Sequence, residues 1–277
     1  MLEACIKKDG SIFDYIKKKR KCPHAVPTKM DNESTDIPSY LAKKYEKLYN
    51  AVEDEQRMIE IEKQMEDNIT QGQYHVIDKV TPGVLMHAAK RLKPGKTDPV
   101  FGISSDFLIH SPRIVFELLA LCLRSYLTHA HVSDFLMIST MIPLIKDKMG
   151  DETSSDNYRS IAISSLIMKL YDQVIIKLFS EHLFFDDLQF GYQSDVSTSM
   201  CTWLATESIS YFRRKKNEVS TCLMDISKAF DTVQHSVLFR KLIQQGMPLI
   251  VVRFLLVSYK GKKETLDGTN SSLTSFL

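Results

Sequence analysis

The 277-residue sequence predicts an α+β, helix-rich fold. Two observations lead there. Apolar residues recur at helical spacing through most of the chain, and β-branched, apolar runs bounded by turn residues are few and short. No internal repeat divides the sequence, so one mixed architecture has to account for it.

The elements follow in order. "FDYIKKKRKCP" holds five consecutive basic residues, Lys17 to Lys21, which read equally as a nuclear-import or nucleic-acid patch and as a solvated helix end. "CPHAVPTKMDNESTDIP" is polar and proline-rich, a linker pattern. Leu41, Tyr45, Leu48 and Tyr49 then mark an amphipathic helix, followed by an acidic, mostly exposed one. "VLMHAAKRL" is a helix closed by Pro94-Gly95, and "FELLALCLRSYLTH" a strongly apolar second helix. "FLMISTMIPLIKD" alternates and ends in a short β-rich run that meets Lys146. Beyond the polar loop "KMGDETSSDNYRS", the later part of "IAISSLIMKLYDQVIIKLFSEHL" reads as a long buried helix. "STSMCTWLATESISYFRRKK" is a further helix that ends in the basic cluster Arg213 to Lys216, with Trp203, Tyr211 and Phe212 expected in the core. "VSTCLMDI" is a strand candidate, Val219 to Ile226. Phe230, Val233, Val237, Leu238 and Leu242 predict a helix stopped at Gly246, and Pro248 opens another through Tyr259.

Composition narrows the class. Hydrophobic residues are 44% and charged residues 25%, as in soluble globular proteins. The net charge of +2 decides nothing about partners, but its distribution is uneven. Met1 to Met30 carries eight Lys/Arg against three acids, whereas Asp31 to Thr70 carries five against eleven. The five cysteines are odd in number and widely spaced, so they read as reduced thiols rather than a disulfide framework. Lys7 and Lys8 follow too short an apolar stretch for a signal peptide, and runs such as "VVRFLLVSY" are about half the ~20 residues of a membrane span. The expectation is a soluble chain inside the cell, in nucleus or cytoplasm, with no membrane contact and no obligate protein partner.

The chemistry centres on "CLMDISKAFDTVQHSVLF". An apolar strand that ends on Asp225 presents a carboxylate at a sheet edge, where a buried charge needs a positive partner. Mg²⁺, a hard cation held by carboxylates and substrate phosphates, is one candidate. A helix cap made by Asp225, with Ser227 sharing the role, is the other. His129 and His131 with Cys122, or Cys22 with His24, lack the paired spacing of a zinc module.

Context separates these readings. "TMIPLIKDK", "SDNYRSIAISSLIMKL", "LQFGYQSDVSTSMCTW" and "CLMDISKAFDTVQHSVLFRKL" stand in the order and at about the intervals of reverse transcriptases of non-LTR retrotransposons. "LKPGKTDPVFGISSDFLIHSP" resembles the entry segment of an RTE-like branch of that family. The resemblance covers roughly Val80 to the C-terminus. It implies a right-hand polymerase arrangement, with a helical connector over 1–79, a fingers-like region over 80–215 and a partial palm over 216–277.

Roles carry over only to matching positions. By resemblance, Asp225 is a catalytic aspartate and Mg²⁺ ligand, assisted by the carbonyl of Ile226. Phe230 is the bulky residue that rejects a ribose 2′-hydroxyl, and Lys146 and Arg159 grip the triphosphate. Gln189, Phe190 and Gly191 lie beside the template strand. The implied partners are an RNA template, a DNA primer and deoxynucleoside triphosphates (dNTPs). From the residues alone, Lys146 is equally a solvated strand end and Arg159 a structural ion pair.

Three departures stand out. Ser160 replaces the proline usual in "NYRPI", and Pro99 replaces a glycine. No aromatic-x-Asp-Asp follows Asp225, although two-metal transfer needs further carboxylates. "FFDD", Phe184 to Asp187, fits that pattern but precedes Asp225 and runs into "LQFGY", where the family has a polar loop. The expectation is a reverse transcriptase domain fragment, inactive as an isolated chain. The alternatives are a non-catalytic nucleic-acid-binding or domesticated remnant and a helical scaffold unrelated to polymerases.

Overall fold

A computed structural model describes residues 29–31, 37–50, 55–69, 71–147, 149–193, 195–226, 228–260, 263–266 and 272–273. The basic cluster Lys17 to Lys21, Cys5, Cys22, His24, Ser227 and most of the proline-rich linker lie outside the described residues.

Two helices open the described chain, α1 (Ile37–Asn50) and α2 (Glu55–Asn68). Both follow the predicted amphipathic pattern. α1 buries Leu41, Ala42 and Tyr45, and α2 turns Met58, Ile61 and Met65 inward while its acids stay outside. A 3₁₀ stretch, Gln71–Lys79, leads to α3 (Pro82–Ala89), which Thr81 caps by accepting from the Val84 amide at 3.4 Å, with Pro82 in the first turn. α4 (Ser105–Ile109) is short, and α5 (Arg113–His129) is the apolar helix expected from its sequence. α5 ends on Ala130 in the left-handed region (φ 49°), and the Arg253 guanidinium donates to the Thr128 carbonyl at 2.9 Å. That cation satisfies a carbonyl left over at a helix C-terminus, where positive charge is favoured.

β1 (Ile138–Ile145) and β2 (Tyr158–Ser164) form an antiparallel hairpin in which Leu144 faces Arg159 and Ile145 faces Tyr158. The first part of "IAISSLIMKL" thus belongs to a strand, and the buried helix α6 (Leu166–Phe179) starts after it. Ser165 caps α6, accepting from the Met168 amide at 3.3 Å. α7 (Thr198–Arg214), α8 (His235–Gln244) and α9 (Leu249–Lys260) follow. β3 (Lys263–Leu266) pairs parallel to β1, and β4 (Ser272–Leu273) pairs with β3, giving the sheet order β2-β1-β3-β4. The architecture is α+β and helix-rich.

One main core joins α2, α3, α5, α6, α8 and α9 through Met58, Leu85, Leu123, Tyr171, Phe239 and Phe254. The Lys260 ammonium on α9 bonds Glu62 on α2, so the first helices are tied to the last. A second, smaller core sets Met141 of β1 against Met30, Leu41, Ala42 and Tyr45, with Tyr158 of β2 at its margin. One face of the hairpin therefore rests on α1.

Three expectations fail between residues 198 and 235. Val219 to Ile226 forms no strand: the segment is irregular, with Leu223 93% and Met224 91% exposed. β-propensity stabilises a strand only where a neighbour pairs with it, and among the described residues no strand pairs there. The helix expected from Phe230 begins instead at His235, because Lys228 adopts a left-handed conformation (φ 53°) and its carbonyl accepts from the Asp231 and Thr232 amides in a closed turn. Trp203, Tyr211 and Phe212 are exposed rather than core, since no residue of α7 is buried.

Candidate functional site

The hairpin is the best-defined part of the site. The Lys146 amide donates to the Asn157 carbonyl at 2.7 Å, which continues the register by one step past β1. Lys146 and Arg159 therefore stand diagonally on one face, alongside Leu144 and Ile161, which are both exposed. The Lys146 ammonium donates to the Asp156 carbonyl at 2.7 Å. The opposite face, Met141 and Tyr158, lies on the α1 core. A supported face and an open cationic face are what a hairpin needs in order to hold an anion.

The loop that joins the strands is anchored from a distance in sequence. Asp31 accepts from the Ser155 amide at 3.0 Å, from its hydroxyl and from the Tyr40 hydroxyl at 3.0 Å, while its own amide donates to the Thr153 carbonyl at 2.8 Å. Lys44 bonds the Ser155 hydroxyl and pairs with Asp156 at 2.8 Å. The Ser155 donors hold the Asp31 carboxyl below the usual carboxylate range, and the Lys44 ammonium does the same for Asp156. Asn157 closes the loop from inside, donating to the Asp147 and Asp151 carbonyls at 2.9 and 3.2 Å. None of Asp31, Lys44 and Ser155 was signalled by the sequence, because partners more than 100 positions apart leave no local pattern.

The segments expected beside the hairpin meet it in part. Asp225 is exposed, which removes the desolvation cost that a buried strand end would have imposed. Three residues later, the Lys228 ammonium lies within electrostatic reach of Asp156 and helps keep that carboxyl ionised. Phe230 is 75% exposed and meets the Tyr192 ring edge-on at 5.8 Å between centroids, so "QFGYQ" touches "ISKAF". Tyr192 (φ 61°) and Lys228 (φ 53°) are both non-glycine residues in the left-handed region, and such strain collects at functional sites. Gln189 is exposed and donates to the Gly191 carbonyl at 3.1 Å, Phe190 is half-buried, and a Cβ at Gly191 would meet nothing within 4 Å. Ile226 is exposed.

For a divalent ion, the described residues bring together no group of three His, Cys, Asp or Glu. Asp225 offers one carboxylate, which is less than a two-ion site requires. Phe184 to Asp187 supplies no second set: Asp186 accepts from the Leu188 amide at 2.8 Å and from the Gln189 amide by its carbonyl at 2.9 Å, in a turn on the surface.

Asp98 was also missed. It is 3% exposed, and its carboxylate accepts from the amides of Val100 (2.6 Å), Phe101 (3.0 Å) and Leu166 (2.7 Å). One buried charge thus shapes the loop after α3 and ties it to the start of α6, with hydrogen bonds replacing water. The Asp98-Pro99 dipeptide, a turn-initiating pair, was the available signal, and it accounts for proline at the position where a glycine was expected.

Residues 145–273 match the family described as reverse transcriptase (RNA-dependent DNA polymerase). That stretch is just under half of the chain. Its relatives are mobile-element proteins. The retrovirus-related Pol polyprotein from type-1 retrotransposable element R2 of Popillia japonica is 31% identical over 111 residues, covering 40% of this chain and 15% of that protein. The polyproteins of the same description from Bradysia coprophila and Nasonia vitripennis are 24% and 23% identical, over 37% and 40% of this chain and 12% and 11% of theirs. The chain is similar over these residues to polyproteins of non-LTR retrotransposons, and its match spans less than a sixth of those relatives' length. The finer likeness to an RTE-like branch rests on the sequence motifs alone.

Proposed function

We propose that the chain forms the fingers and the first part of the palm of an RNA-directed DNA polymerase, with 1–79 as connector, 80–215 as fingers-like region and 216–277 as partial palm. The observation that carries this reading is the hairpin. Lys146 and Arg159 share one open face within the family match, while the other face is clamped to α1. In this reading the two cations offset the charge of an incoming triphosphate, and the transfer depends on positioning and charge stabilisation. Phe230, braced by Tyr192, bounds the sugar and excludes a 2′-hydroxyl. Gln189, Phe190 and Gly191 line the template side. Asp225 by its carboxylate and Ile226 by its carbonyl would hold Mg²⁺, which would supply Lewis-acid charge stabilisation when bound.

The test is binding of an RNA–DNA template–primer duplex by the 277-residue chain, with and without a deoxynucleoside triphosphate and Mg²⁺. The expected result is that the nucleotide tightens duplex binding, and that Lys146→Gln with Arg159→Gln removes the tightening but not the duplex. A chain whose duplex binding ignores the nucleotide overturns the reading. Primer extension by the chain alone, abolished by Asp225→Ala, would show that its carboxylates suffice and would overturn the expectation of an inactive fragment.

A further inference from the structure

Two ammonium groups converge on residue 156, one at its backbone and one at its side chain. The Lys146 ammonium donates to the Asp156 carbonyl at 2.7 Å, and the Lys44 ammonium of α1 holds the Asp156 carboxylate at 2.8 Å. Among the described residues Lys146 has no ion pair, although the residue it touches carries a carboxylate. A bond to that carboxylate would be stronger than one to a neutral carbonyl. Lys44 already occupies it.

Lys44 is held in that place from behind. Its ammonium also bonds the hydroxyl of Ser155, a buried residue whose own hydroxyl and amide donate to Asp31, the amide at 3.0 Å. The Asp31 amide in turn donates to the Thr153 carbonyl at 2.8 Å. The Lys44 side chain is 26% exposed and that of Asp156 77%, so a fixed cation meets a carboxylate that is free to turn. Lys228 lies within electrostatic reach of the same carboxylate but makes no hydrogen bond to it among the described residues, whereas Lys146 is in contact with residue 156. Without Lys44, the nearest cation for that carboxylate is therefore Lys146. A Lys146 so paired would have to give up a charge-assisted bond, about twice as strong as a neutral one, before it could meet a phosphate.

We infer that Lys44 is a positioning residue: by occupying the Asp156 carboxylate it keeps the Lys146 ammonium available to a triphosphate. The inference rests on the polymerase reading of the hairpin, while Lys44 itself lies outside the residues 145–273 that carry the family match. It gives α1 a part in nucleotide affinity in addition to its support of the strands.

The experiment titrates a deoxynucleoside triphosphate, with Mg²⁺, into the 277-residue chain and an RNA–DNA template–primer duplex, and reads the nucleotide concentration that half-saturates the tightening of duplex binding. Lys44→Gln, which can still donate to the Ser155 hydroxyl, is expected to raise that concentration about threefold, the scale of an exposed ion pair, and to leave duplex binding without nucleotide unchanged. Lys44→Arg is expected to keep the wild-type value. The deciding variant is Lys44→Gln with Asp156→Asn, which removes the competing carboxylate as well and is expected to restore the wild-type concentration. Melting temperatures establish that the variants fold. A double variant as weak as Lys44→Gln shows that Lys44 acts only by holding the loop and overturns the inference, as does a wild-type value in Lys44→Gln alone. In either case a nucleotide response lost in Lys146→Gln/Arg159→Gln leaves the polymerase reading standing. A wild-type chain whose duplex binding ignores the nucleotide overturns both.

Discussion

α6 and α7 are helices of similar length, 14 and 17 residues, with opposite fates. α6 buries Leu166, Met168, Leu170, Tyr171, Val174, Ile175 and Phe179, whereas α7 buries nothing and holds Trp203 64% exposed. Residues 215–226 and 228–230 are exposed in the same way. The difference teaches that the molecule has two stability regimes. A helix or strand candidate becomes a stabilising element only when a second apolar face covers it, and burial of each large side chain is worth about 1.5–3 kcal/mol.

The contrast can be broken most forcefully in the core. Tyr171 is buried, its hydroxyl donates to the Leu119 carbonyl at 3.2 Å, and burial pushes the phenol pKa well above its ordinary value. Tyr171→Ala is expected to cost about 3–5 kcal/mol in urea denaturation. Trp203→Ala, although it removes a larger side chain, should stay within about 0.5 kcal/mol. A large loss at Trp203 would show that α7 is covered.

The junction between α1 and the hairpin is of intermediate strength. Asp31→Asn weakens charge-assisted bonds to Ser155 and Tyr40, with an expected cost of about 1 kcal/mol after allowance for solvent screening. Because the folded-state pKa values of Asp31 and Asp156 are lowered, their contribution is present above the unfolded value of about 4 and is lost as pH falls through the lowered values. Hydrogen exchange in 147–157 should therefore speed up relative to α6 below about pH 4, and the Asn variant should show less of that acid loosening.

Ser160 tests the hairpin from the other side. Its hydroxyl is buried without a hydrogen-bond partner, and it faces Pro143 at a position where its amide points away from β1. Proline there loses no ladder bond and removes the orphan hydroxyl, so Ser160→Pro should raise stability by about 1 kcal/mol in the same denaturation assay. The smallest effect belongs to the Tyr192–Phe230 pair. A double-mutant cycle to Ala should give a coupling of about 0.5–1 kcal/mol, and zero coupling would separate the two segments.

The same contrast explains what the sequence could reveal. Strong helical periodicity was readable in α1, α3, α5 and α9 because each buries apolar residues at the spacing its sequence displays, whereas α8 buries Phe239 and leaves Val237 exposed. Val219 to Ile226 has strand composition but no pairing neighbour among the described residues, and the exposure of Trp203, Tyr211 and Phe212 depends on what lies opposite them rather than on their spacing. Lys146 and Arg159 were singled out by ordered motifs, and the register sets them on one face. Asp31 and Lys44 depend on contacts distant in sequence, which no local pattern encodes.

The sheet order leaves β2 with one unpaired edge among the described strands, and the chain also leaves "TCLMDI" irregular and uncovered. An open row of backbone donors and acceptors is a template for a stray β-prone segment, and six such residues without proline are enough for one. In concentrated solution the two would find each other between molecules. A single Lys in place of Leu223 or Met224 is the least intrusive way to keep a preparation monodisperse, since neither side chain contributes to the core.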